Sequence, residues 1–132
     1  MLDSLDISVS ALQAQRVRMD TVAGNLANMY VTRNEQGQAE PYQRRFVIFA
    51  EGDGQGGPGV HVQSVERDDS PPRLEWNPSH PDAGRDGYVR FPNVVPSTEM
   101  VNMMEAARAY EANITAMQVT KTMVGNALRL LA

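Results

Sequence analysis

Three clusters carry residue types that could do chemistry. Gly52, Gly54 and Gly57 match G-x-G-x-x-G, a pattern that cradles a phosphate when a helix begins directly after it. Pro58, Gly59 and a strand-like run follow instead, so the pattern reads as a hairpin loop. Asp82-Ala-Gly-Arg-Asp86-Gly87 opens like a calcium loop. Its third position is Gly84 and its twelfth is Asn93, where calcium needs an oxygen donor and then a glutamate. A plain turn fits better. His61 and His80 lie far apart, with no partner at metal-ligand spacing. With two histidines, no cysteine and no G-x-S-x-G, there is little material for a nucleophilic triad. These residues point to no enzyme, no cofactor and no metal.

The elements that would position any site fall into three zones. Residues 1–30 read as a helix with few breakers. Residues 31–96 hold all eight prolines and eight of the ten glycines, and read as a β-rich unit of short strands and turns. Strands are expected at Tyr42–Ala50, Val60–Val65, Arg73–Trp76 and Gly87–Phe91. Residues 97–132 read as one long, proline-free helix. Val95-Pro96-Ser97-Thr98-Glu99 suits its start, with Ser97 as cap and Glu99 at the positive end of the dipole. Arg44-Arg45 reads as a solvated strand edge blunted by charge. The fold class is therefore α+β, with long terminal helices pairing as a coiled coil and the β-rich unit between them.

The helices carry the strongest signal. Leu5, Leu12, Met19 and Leu26 recur every seven residues in the first. Asn25 and Asn28 stand near its end, where a short amide can satisfy loose carbonyls. In the last helix Met100, Met103, Ala107, Tyr110, Ile114, Met117, Lys121, Val124, Leu128 and Leu131 alternate steps of three and four, which is the coiled-coil signature. Lys121 alone breaks this seam; it either snorkels or sets register. A second stripe, Ala109, Ala112, Ala116, Val119, Met123, Ala127 and Leu130, lies about 100° round the helix. One shorter helix cannot cover both stripes, so packing against other chains is expected. Composition agrees. The net charge of −4 disfavours nucleic acid, no run is apolar enough to span a bilayer, and no signal peptide is expected.

Some of these residues are recognisable as well as readable. Ser10-Ala-Leu-Gln-Ala-Gln-Arg16 with Gly24-Asn-Leu-Ala-Asn28 resembles the N-terminal signature of bacterial flagellar rod and hook proteins. Gly87-Tyr-Val-Arg-Phe-Pro-Asn-Val94, Glu99-Met-Val101 and Ala107-Arg-Ala-Tyr-Glu-Ala-Asn113 are similar to the proximal-rod proteins of the FlgC type. Gly24 stands where that family usually has serine. The resemblance implies a structural subunit of the basal-body rod in the periplasm, exported without a cleaved signal. It implies terminal helices packed in a helical tube that transmits torque and encloses the export channel. The implied partners are other rod subunits and the adaptor at the inner-membrane ring, with no small-molecule substrate. A coiled-coil adaptor or export chaperone is the competing reading.

Overall fold

The computed structural model describes residues 2–131. In chain order these form α1 (Leu2–Ala27), β1 (Arg45–Glu51), β2 (Val60–Arg67), β3 (Arg73–Trp76), β4 (Tyr88–Phe91) and α2 (Pro96–Leu131). The two helices pack on each other and bracket two antiparallel hairpins, β1–β2 and β3–β4. This is the α+β arrangement expected from the sequence.

Helix α1 contains no proline and a single glycine, Gly24. It stops at Asn28, whose backbone N–H and side-chain Nδ2 both donate to Gly24 O, at 3.1 and 2.8 Å. An amide on the last turn thus closes the loose carbonyls. Helix α2 begins one residue earlier than expected. Pro96 occupies its first turn, where the missing N–H costs nothing, and Glu99 N donates to Val95 O at 3.0 Å. Val95 therefore takes the cap position, and Ser97 lies inside the first turn.

The strands differ from expectation at their ends. Tyr42–Arg44 is irregular, because its backbone donors are engaged elsewhere: Tyr42 N on Val31 O at 3.0 Å and Arg44 N on Asn93 Oδ1 at 2.9 Å. β1 begins at Arg45, opposite Arg67, and ends at Glu51, opposite Val60. A bulge falls after Ile48, where Ser64 and Val62 are the successive partners and Gln63 is extra. The connecting loop is the glycine-rich segment. Asp53 Oδ1 accepts from Gln55 N and Gly57 N, both at 2.8 Å. These bonds hold the Asp53 carboxyl below its usual range. Gly59, at φ +134°, lies so close to α1 that a Cβ would sit 2.5 Å from Ser10 Oγ. The next residue, Val60, donates its N–H to that same hydroxyl at 3.1 Å.

Among the described residues the buried apolar side chains are few: Ala14, Val22, Val89, Phe91, Pro92, Val94 and Ala106. Strand alternation turns Val89 and Phe91 inward. Phe91 gathers Tyr30 and His80 edge-on, with ring centroids 6.3 and 5.9 Å away, and Arg73 over its face at 5.7 Å. The opposite face of this hairpin carries Leu74, Trp76 and Tyr88, all exposed.

Candidate assembly interface

One buried polar cluster joins both helices to the β unit. Asn25 is fully buried and uses all of its hydrogen-bonding capacity. Its Nδ2 donates to Arg45 O at 2.7 Å and to Glu99 Oε2 at 3.0 Å. Its Oδ1 accepts from Arg45 N at 2.9 Å and from the Tyr42 hydroxyl at 3.1 Å. The side-chain amide thereby pairs with the Arg45 backbone as a neighbouring strand would. Glu99, also fully buried, accepts from Arg44 Nε at 2.5 Å. The same guanidinium reaches Asp68 at 3.4 Å. Asn93 completes the cluster by donating to Asp68 O and Ser70 O, both at 3.1 Å.

Sequence reasoning missed this cluster. Arg44 is not part of a solvated edge, since its guanidinium is spent inside the knot, while Arg45 gives only its backbone and stays exposed. Glu99 does sit in the first turn of α2, as expected, but fully buried, as a bridge. Burial raises the Tyr42 hydroxyl pKa. Ser70, through its hydroxyl and its N–H, holds Asp68 below the usual carboxylate range.

The helix pair extends from this knot. Arg18 Nη2 meets Glu105 Oε2 at 3.1 Å, seven residues up α1 from Asn25 and six down α2 from Glu99, so the helices run antiparallel. Glu105 thus reaches across to the other helix rather than along its own. On α1, Leu5, Leu12, Met19 and Leu26 are half-buried, while Ser8, Ala14, Val22 and Asn25 are buried. The hairpin β1–β2 packs on α1 as well as α2 does. The most buried positions therefore differ from the heptad positions.

On α2, Met103, Tyr110, Ile114, Met117 and Val124 are half-buried, and Met100, Lys121, Leu128 and Leu131 are exposed. The second stripe is mostly open. Ala109 and Ala127 are half-buried, while Ala112, Ala116, Val119, Met123 and Leu130 are exposed. Leu130 and Leu131 reach 88% and 86% exposure. Helix α2 has 36 residues against 26 in α1, or about 54 Å against about 39 Å. Its last turns run beyond the described part of α1. A Cβ on Gly125 would meet nothing within 4 Å.

The residues considered for chemistry are placed elsewhere. His61 Nδ1 sits 2.9 Å from Gly52 O, inside its own hairpin. His80 Nδ1 accepts from Asp82 N at 3.0 Å. Asp82 accepts from Thr32 Oγ1 and Arg33 Nε, both at 2.7 Å. The Thr32 hydroxyl is the main reason its carboxyl titrates below the usual range. Among the described residues no three His, Asp or Glu side chains converge as a metal site. No described helix is long and apolar enough to cross a membrane. The main clefts are open and lined by charged side chains, the largest by Arg33, Glu35, Glu40 and Arg45. What stands out is an extended apolar helix surface anchored to a rigid polar base.

Known proteins share this organisation in sequence. Residues 5–33 match the family described as flagella basal body rod protein. Residues 85–130 match that described as flagellar basal body rod FlgEFG protein C-terminal. The flagellar basal-body rod protein FlgC of Bacillus subtilis is 45% identical over 143 residues, spanning 96% of this chain and 95% of its own. FlgC of Salmonella typhimurium is 40% identical over 132 residues, spanning 98% and 97%. FlgC of Borreliella burgdorferi is 37% identical over 150 residues, spanning 99% and 97%. With near end-to-end similarity at these levels, and both helices within matched segments, the chain belongs to the FlgC family of flagellar basal-body rod proteins and is a structural subunit of the rod.

Proposed function

We propose that this subunit builds the rod by packing its helix pair against neighbouring rod subunits through the open stripe of α2, with the β unit facing outward. Residues 1–30 and 97–132 then act together as the assembly part, and residues 31–96 as the projecting part. The neighbours are other rod subunits and, at the base, the adaptor of the inner-membrane ring. The helix pairs line a tube in the periplasm that encloses the export channel and carries torque. No catalytic step is part of this role.

The observation that carries the reading is the exposure of Val119, Met123, Leu128, Leu130 and Leu131 on one long helix. A buried large apolar side chain contributes roughly 1.5–3 kcal/mol. Five of them left in water forfeit stabilisation that packing against another chain recovers. The test compares amide hydrogen exchange of the isolated subunit with that of subunits co-assembled with rod partners. Rapid exchange beyond about residue 122 in isolation, with strong protection on assembly, is expected. Full protection in a clean monomer refutes the reading. A closed dimer in sedimentation that grows no further would mark a stand-alone adaptor instead.

A further inference from the structure

We infer that the Asn25–Arg44–Glu99 knot is a register lock: it selects one of two helix pairings that apolar packing alone leaves open. The ambiguity lies in the heptads. Leu5, Leu12, Met19 and Leu26 repeat every seven residues on α1, and Met103, Tyr110, Met117, Val124 and Leu131 repeat every seven on α2. Moving α1 one heptad along α2 sets each seam residue against an apolar residue again. The surplus length of α2, ten residues, leaves room for that move in one direction only, toward Leu131.

The slid pairing would exchange one apolar cover for another, leaving Met100 and Met103 behind. It advances α1 by about 10 Å, over Val124 and Leu128, which the observed pairing leaves partly or largely open. Burial of greasy surface therefore does not bar sliding. The polar groups oppose it. One heptad on, Asn25 would face Ala106 instead of Glu99, and Arg18 would face Ala112 instead of Glu105. Glu99, fully buried, would lose the amide and keep its charge. Arg44 and the Arg45 backbone, both tied to this point, would be pulled from their partners. The Arg18–Glu105 pair is largely solvated and adds little, so the discrimination rests on the buried knot. A buried polar cluster commonly contributes little net stability, and setting register is its best-attested use. Here the lock would also keep the last turns of α2 unpaired within the chain.

The chain has no cysteine, so two introduced thiols can be labelled cleanly. Nitroxides on D20C and T122C, both exposed sites, report the axial offset of the helices by pulsed electron paramagnetic resonance. The parent chain should give one distance. The lock-free variant Asn25→Leu, Arg44→Met, Glu99→Met replaces the knot by apolar groups, so no charge is stranded. It should add a second population shorter by about 10 Å. A folded lock-free chain that keeps the parent's single distance overturns the inference. Should that variant fail to fold, Glu99→Gln carries the test. It keeps the shape and weakens the bridge, and a shorter population must appear. Its absence overturns the inference equally.

Discussion

Replacing Asn25 with alanine isolates the physics of the knot. Four hydrogen bonds vanish at once, and four protein groups lose their partner: Arg45 N, Arg45 O, the Tyr42 hydroxyl and Glu99 Oε2. A buried polar group left unpaired costs about 1–3 kcal/mol. Tyr42 and the Arg45 backbone lie near enough to the surface for water to take over part of the bonding. Glu99 does not, but retains Arg44. The loss should therefore total roughly 3–4 kcal/mol, well short of four full penalties. Asn28→Ala, also at the end of α1, removes one partly buried bond to Gly24 O and should cost about 1 kcal/mol. Domains of this kind are stable by only about 5–15 kcal/mol, and the few buried apolar side chains among the described residues put this one near the lower limit. Urea unfolding followed by far-ultraviolet circular dichroism resolves the difference. If Asn25→Ala is no more destabilising than Asn28→Ala, the reasoning about buried amides here is wrong.

Two further outcomes can be checked on the same material. Gln15 Oε1 is buried with no hydrogen-bond partner among the described residues. Gln15→Leu should raise stability by about 1 kcal/mol, read as a higher urea midpoint at unchanged slope. Asp53, Asp68 and Asp82 all titrate below their ordinary value of 3.8 in the folded chain. Their folded pKa values being depressed, the stability they confer is complete above that value and lost as pH falls through the lower folded values. Thermal melts should show a stability drop on the acid side of pH 3.8, smaller in D82N.

The helices were legible because their causes are local. Twenty-six residues without proline, and thirty-six with one proline in the first turn, leave an apolar periodicity little choice. The hairpins were legible from turn residues, as with the loop of five glycines and one proline that separates β1 from β2. What stayed hidden was set by contacts distant in sequence. Nothing near Asn25 reveals that its partners lie 20 and 74 residues away. Arg44-Arg45 looked solvated because two adjacent cations usually are, and the carboxylate that buries one of them sits in another element. The start of β1 moved for the same reason, since Asn93 captures the Arg44 amide. The heptads located the helices but not their most buried positions, and the polar knot that joins them to the β unit was invisible to periodicity.

The sequence separation of the knot also sets an order of events during synthesis. Asn25 and Arg45 can meet once the first hairpin exists, because both lie within the first half of the chain. Glu99 arrives only after both hairpins have been made. Until then Arg44 already has a counter-charge in Asp68, so the waiting half need not strand a cation. Closing the structure requires bringing together groups 74 residues apart, a long loop whose entropy cost is met late. A nascent chain stopped before residue 99 would therefore carry its first helix without its last clasp.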